Sequence, residues 1–122
     1  ELFKMRDSAG EVKIYNILKD AGIPFIEEYE FADLVSSSGR PLRFDFAIFD
    51  EFDELDFLIE FQGKQHYSSV SKYGGVRGLH RQQYNDTLKR KYCLKNRIKL
   101  VTIPYYDENK LSYDYIMTAA GY

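Results

Sequence analysis

Apolar and polar positions along this chain fall into patterns that predict seven elements. Ser8-Ala9-Gly10-Glu11 has the spacing of a capping box, and Ile14, Ile17, Leu18 and Ala21 follow at helical intervals. Gly22 and Pro24 supply the stop. Residues 25–31 alternate well enough for a strand with one exposed face, and the serines, Gly39 and Pro41 of 36–41 read as a loop. Two apolar β-type runs, 42–49 and 57–63, flank an acidic connector from Asp50 to Asp56 that suits a solvated hairpin turn. Residues 68–78 are polar and glycine-bearing, as expected of a loop that moves over a substrate. A long basic helix over about 79–96, a buried-type strand over 99–105 and a short helix over 111–120 complete the chain. The order is helix, three strands, helix, strand, helix, with no internal repeat, low-complexity tract or linker.

The hairpin carries the positions that break its own pattern. Asp45 lies among Phe44, Phe46 and Ile48, and Glu60 and Gln62 lie among Leu58, Ile59 and Phe61. A carboxylate in such surroundings must be desolvated, neutralised or matched to a cation, and each is costly. Strand alternation places Phe44, Phe46 and Ile48 on one face and Asp45, Ala47 and Phe49 on the other. A hairpin symmetric about Asp53 and Glu54 pairs Asp45 with Gln62 and Ala47 with Glu60. Asp45 and Gln62 are then roughly 5 Å apart at Cβ, with Glu60 diagonal at roughly 7–8 Å. One hydrated Mg²⁺ bridges such separations, because it takes one or two carboxylates together with waters and phosphate oxygens. A one-residue slip in register would break the arrangement.

Composition narrows the class. The 122 residues suffice for one domain with a single core, and 44% apolar and 16% aromatic content is ample for that core. The lone Cys93 excludes an internal disulfide and fits a reducing compartment. No run spans a bilayer and no signal pattern opens the chain, so a soluble intracellular protein without membrane partners is expected. The start at Glu1 suggests a domain excised from a longer protein. A net charge of −2 hides a segregation: residues 1–63 hold six Lys/Arg and fifteen Asp/Glu, whereas residues 64–99 hold ten Lys/Arg and one acid, Asp86. Tyrosines 67, 73, 84 and 92 are interleaved with the basic residues. A solvated helix does not account for so few acids, and the balance favours a face that meets a polyanion.

Gly10-Glu11, Arg43-Phe44-Asp45-Phe46, Ile59-Glu60-Phe61-Gln62-Gly63-Lys64-Gln65-His66-Tyr67, Asn85-Asp86 with Lys89, and Ile98-Lys99-Leu100-Val101-Thr102-Ile103-Pro104-Tyr105 occur in that order on the predicted elements. Together they resemble the core of the PD-(D/E)XK nuclease superfamily, and more closely its Vsr-like branch, including the phage-associated EDxHD homing endonucleases. The resemblance covers most of the chain from Ser8 to Tyr105. It implies a single α/β domain over 1–122, with a central mixed sheet of about four strands flanked by helices. It also implies Glu11, Asp45, His66 and Asp86 as the acidic and histidine set, with Asp45 the principal metal ligand. Glu60 and Gln62 stand where the superfamily carries its (D/E)xK pair, so the metal set is Asp45, Glu60 and Gln62. Gln62 departs from the motif: it can ligate through its carbonyl oxygen but supplies no cation, and either Lys64 or Lys89 is left to cover that role.

Each of these residues also has a plainer reading. Glu11 is the natural partner of Ser8 in the capping box, yet it lies three and seven positions before Ile14 and Leu18 on the core-facing stripe. Asp45 and Glu60 would otherwise need a buried ion pair with Arg43 or Arg40, an expensive arrangement. His66 follows the second strand of the hairpin, where it could serve as general base or phosphate contact, or simply pack on Tyr67. Asp86 lies opposite the stripe of Tyr84, Leu88 and Tyr92, and Arg90 offers it a surface pair. The seven-residue recurrence of Leu79, Asp86 and Cys93 would instead turn it toward the fold. Cys93, His66 and His80 lack zinc spacing, and Cys93 sits within a helix rather than at an activating helix N-terminus. His80 reads as an ordinary polar helix residue.

The expectation is a Mg²⁺-dependent DNA endonuclease domain, with Mn²⁺ as a substitute metal and double-stranded DNA as partner. Lys64, Lys72, Arg77, Arg81, Arg90 and Lys91, with Lys89, would track the phosphate backbone, which positions DNA without reading its sequence. The resemblance implies a phage or mobile-element homing enzyme acting in a bacterial or phage-infected cytoplasm. Targeting would fall to a separate DNA-binding region, and cutting both strands to a transient dimer or to sequential nicks. The alternative is a nuclease-fold DNA-binding module that has lost catalysis, for which Gln62 is the best support. A small hydrolase or a domain docking an acidic protein is the third reading.

Overall fold

The computed structural model describes residues 8–67 and 74–122. Three helices, α1 (Ala9–Asp20), α2 (Gly75–Lys95) and α3 (Tyr113–Ala119), flank a sheet of four strands: β1 (Phe25–Val35), β2 (Pro41–Phe49), β3 (Leu55–Gln62) and β4 (Lys99–Pro104). The strands lie in the order β1-β2-β3-β4. The first two pairings are antiparallel, and β4 joins β3 in parallel after the crossover through α2. Single 3₁₀ segments follow β3 (Lys64–His66) and β4 (Tyr105–Lys110). This is an α/β architecture with a mixed sheet.

Each face of the sheet is closed by helices. Ile14 and Leu18 of α1 and Ile116 of α3 bury against Phe46, Ile48, Phe57, Ile59, Phe61, Val101 and Ile103. Cys93 of α2 covers Leu34, Leu42, Phe44, Ala47 and Leu58 on the opposite face, with Leu88 and Tyr92 partly buried beside it. Fully buried Phe and Ile side chains of this kind contribute roughly 1.5–3 kcal/mol each, so the hairpin of β2 and β3 is held from both sides. Tyr92 further ties α2 to β1, its hydroxyl donating to Asp33 Oδ1 at 2.6 Å.

Two features differ from simple strand alternation. Phe44 and Phe46 lie on opposite faces of the sheet rather than on one. The cause is local: β1 pairs Glu27 with Phe46 and Tyr29 with Phe44, so Glu28 stands opposite Asp45, and Glu28 has a φ of +53°. This left-handed residue turns β1 over, so that Phe25 packs toward α1 whereas Tyr29 and Phe31 pack toward α2. The register of β2 and β3 is also displaced by two residues from the symmetric hairpin. Phe46 pairs with Ile59 and Ala47 with Leu58, which sets Asp45 opposite Glu60 instead of Gln62. The displacement enters at the turn, where Phe49 pairs with Leu55 and the ladder shifts. An even shift preserves the faces.

Element ends move modestly. β1 runs on to Val35, and α2 begins at Gly75, so the expected loop over 68–78 ends in helix; residues 68–73 of that loop lie outside the described residues. Among the described residues no helix is long and apolar enough to cross a membrane.

Candidate active site

The backbone ladder between β2 and β3 stops at Phe46 and Ile59, and beyond it two side chains replace the ladder. The Asp45 amide donates to Glu60 Oε2 at 3.0 Å, and the Phe61 amide donates to Asp45 Oδ2 at 2.7 Å. The strands part at this point, with each carboxylate accepting from the other strand. Buried amides require partners, so the two acids hold the fork in shape as well as place negative charge inside it.

From the α2 side Lys89 enters the fork. Its Nζ donates to Glu60 Oε1 at 2.7 Å and lies 5.4 Å from the centre of the Phe44 ring. Glu60 and Lys89 are both buried, at 5% and 8% exposure. The ion-pair reading of Glu60 therefore holds in part, with Lys89 rather than an arginine as partner. Arg43 instead pairs on the surface with Glu30 at 2.7 Å and Glu28 at 3.7 Å. Lys89 consequently leaves the set that would track phosphates: it faces inward, while Arg77, Arg81, Arg90 and Lys91 of the same helix are exposed. Lys64 is exposed in the 3₁₀ turn, and Lys72 lies outside the described residues.

From the other face α1 brings Glu11. Ser8 caps this helix and Glu11 closes the capping box, accepting from the Ser8 amide at 3.2 Å. The cap is also beside Asp45: carboxylate oxygens of Glu11, Glu28 and Asp45 all lie within 4.8 Å of one another. Glu11 is thus at once a helix cap and a neighbour of Asp45. Gly10 permits the approach, since a Cβ there would meet the Phe61 ring at 2.2 Å. Glu28 is absent from the residues the sequence singles out, because it reads as one more exposed acid in an alternating strand. Its positive φ is the kind of backbone strain, on the order of 1–3 kcal/mol, that functional sites hold.

Burial raises the Asp45 carboxyl well above the ordinary carboxylate range, and the nearby charges of Glu60 and Glu11 push it in the same direction. Burial also raises Glu60, against the pull of Lys89. Carboxylate oxygens of Glu11 and Glu28 lie beside Asp45, and such oxygens are the donors a hard divalent cation takes. The three-carboxylate group of Glu11, Glu28 and Asp45 fits such an ion. The expected set of Asp45, Glu60 and Gln62 is not assembled in the same way: both Glu60 oxygens and the Gln62 carbonyl already accept hydrogen bonds, the last from the Tyr67 hydroxyl at 2.8 Å.

His66 and Asp86 complete the cluster. His66 Nδ1 lies 2.8 Å from Asp86 Oδ2, and both side chains are nearly buried. Gln82 supports the other oxygen at 3.4 Å. With Nδ1 donating to Asp86, the lone pair of the ring lies at Nε2, the arrangement in which a carboxylate orients an imidazole as a base. The surface pairing of Asp86 with Arg90 does not form; Gly78, Asp86, Lys89 and Cys93 make up the buried face of α2. A cavity of about 10 Å³, at the lower limit of room for one water, is lined by Glu60, Gln62, Asp86 and Lys89 among others. Cys93 contributes no nucleophile, for burial pushes its thiol up to about 11. His80 is exposed on α2.

The chain is similar to two viral proteins. It is 47% identical over 53 residues to Uncharacterized protein 094L of Frog virus 3 (isolate Goorha), covering 42% of this chain and 34% of that protein. It is 33% identical over 70 residues to Uncharacterized protein 307L of Invertebrate iridescent virus 6, covering 57% of this chain and 36% of that protein. The matched region thus spans about a third of the length of each relative. No family model and no solved structure matches the chain.

Proposed function

We propose that this domain is a Mg²⁺-dependent DNA endonuclease of the PD-(D/E)XK type, with Asp45 at the centre of its reaction site. The observation that carries the reading is the fork between β2 and β3. Asp45 and Glu60 are exchanged across the parted strands, Lys89 is fixed on Glu60, and Glu11 and Glu28 crowd Asp45. A structural ion pair accounts for Glu60 and Lys89, and the turning over of β1 for the φ of Glu28, but neither gives a reason for the crowding of three carboxylates.

Asp45, Glu11 and Glu28 would hold the metal. Bound there, Mg²⁺ supplies Lewis-acid polarisation of the scissile phosphate. Lys89 places a cation one α2 turn from Asp86 and positions Glu60, which supports taking it, rather than Lys64, as the counterpart of the motif lysine. His66, oriented by Asp86, accepts a proton from an attacking water at Nε2. The exposed arginines and lysines of α2 supply charge for the backbone of the substrate. Both likenesses are to viral proteins, of a frog virus and an invertebrate virus; they lend support to a mobile-element setting, such as a homing enzyme, and none to a phage one in particular.

Supercoiled plasmid in Mg²⁺ or Mn²⁺ tests the reading. Nicking or linearisation is expected, lost in EDTA and lost in Asp45→Ala. Salt-sensitive DNA binding without cleavage, unchanged by Asp45→Ala, would instead favour the binding-module alternative.

A further inference from the structure

Beyond the fork, β1 and β2 continue together as a hairpin that faces the first half of α2. Between them runs a groove of about 580 Å³, lined by Ser36, Ser37, Ser38, Arg40, Pro41 and Leu42 from the hairpin and by Arg81, Tyr84 and Asn85 from α2. Its lining holds two guanidinium groups, three serines, a phenol and an amide, and no acid. Arg40, Arg81 and Tyr84 are exposed, and among the described residues no ion pair or hydrogen bond engages the side chain of Arg40, Arg81, Tyr84 or Asn85. Two arginine forks presented without carboxylate partners match the paired oxygens of a phosphate.

The hairpin tip is built to hold its shape. Ser36 Oγ accepts from the amides of Ser38 and Arg40 at 3.3 Å each, the Ser36 amide donates to the Arg40 carbonyl at 2.8 Å, and the Gly39 amide donates to the Ser36 carbonyl at 2.9 Å. Gly39, with a φ of +83°, makes the turn that brings Arg40 back toward α2. Arg40 is therefore carried on a fixed turn, and Arg81 on a 21-residue helix.

The groove also has a set relation to the fork. Arg40 is five residues from Asp45 along the chain, at most roughly 17 Å at the rise of a strand. On α2, Asn85 in the groove is the neighbour of Asp86 in the site. One strand and one helix thus span both places, and the separation corresponds to at most about five nucleotides along a DNA strand. The geometry points to the groove as a second phosphate subsite, in which Arg40 and Arg81 grip the sugar–phosphate backbone of DNA a few nucleotides from the bond held at Asp45. The inference rests on the nuclease reading for its substrate. Its own content is a binding site that includes Arg40, Tyr84 and Asn85, none of which belongs to the basic set read from the sequence.

The test is equilibrium binding of a short DNA duplex in EDTA over a range of salt, so that the outcome does not depend on cleavage. For Arg40→Ala/Arg81→Ala the slope of log affinity against log salt should fall by about two, with equal weakening for unrelated sequences. Lys19→Ala/Lys110→Ala removes two surface charges outside α2 and the groove and should leave the slope within a few tenths of wild type. Tyr84→Phe should weaken binding a few-fold without changing the slope, because it alters a hydrogen bond and no charge. Circular dichroism checks that each variant is folded. An unchanged slope in the arginine double variant overturns the subsite while leaving the nuclease reading in place, as does a fall shared equally by the Lys19/Lys110 control. Wild-type binding that is absent at every salt overturns the subsite as well. Intact DNA binding with the expected slopes and no cleavage in Mg²⁺ supports the subsite and removes the nuclease reading alone.

Discussion

At the residue scale the central fact is that Asp45 is a carboxyl group placed where the fold disfavours its charged form. Its carboxyl binds a proton more tightly in the folded chain than in the unfolded chain, because burial, Glu60 and Glu11 all raise it. Stability in EDTA should therefore fall as pH rises from the ordinary carboxylate range toward the raised folded value, since the folded state binds more protons across that window. Asp45→Asn keeps an oxygen for the Phe61 amide and turns its own amide toward Glu11 and Glu28. It should be more stable than wild type at neutral pH, on the order of 1 kcal/mol, the familiar exchange of stability against activity. The difference should shrink as the pH is lowered through the window, which urea unfolding at several pH values will show. Added Mg²⁺ should stabilise wild type and leave Asp45→Asn unchanged.

Much of this was legible in the chain. Asp45 and Glu60 betray themselves by lying inside apolar runs, and His66 and Asp86 by the resemblance. Glu28 was not legible, because nothing in an alternating strand marks the one acid whose backbone turns left-handed. The displaced register was hidden for a related reason: an asymmetric turn between Phe49 and Leu55 leaves no mark on the periodicity of either strand.

At the scale of elements, α1 and α2 deliver groups to opposite sides of one fork. The capping box fixes where α1 begins, and the contact of Gly10 with Phe61 fixes how close it comes. Gly10→Ala should destabilise the protein by about 1–3 kcal/mol through overpacking. It should also lower cleavage by more than the loss of folded protein explains, since α1 must shift and carry Glu11 away from Asp45. Denaturant unfolding and single-turnover cleavage of the folded fraction check the two effects separately. Helix α2 divides its labour by periodicity. Gly78, Asp86, Lys89 and Cys93 face the sheet, and the cations between them face outward. The seven-residue recurrence of Leu79, Asp86 and Cys93 foreshadowed that buried face. The inward turn of Lys89 was not foreshadowed, because a lysine in a basic helix looks like its neighbours until the acid it meets on another element is known.

For the whole molecule, the seven-element order follows from the hydrophobic pattern; the division of the core between two faces does not, because Phe44 and Phe46 part to opposite faces beside the left-handed Glu28. The parallel placement of β4 on β3 is what sets the 3₁₀ turns after each strand side by side, so that Tyr67 meets Tyr105 and Tyr106 at ring-centre distances of 5.5 and 6.0 Å. The site, the arginine groove and the exposed cations of α2 lie along connected elements, the arrangement that the proposed nuclease reading requires. The most direct measurement is single-turnover cleavage of a short duplex in Mg²⁺ at saturating protein, with DNA affinity measured in parallel for wild type and Asp45→Asn. The account predicts affinities within a few-fold of each other and a rate at least ~10³ slower in Asp45→Asn, as loss of a metal-holding carboxylate implies. Equal rates in the two proteins would contradict it.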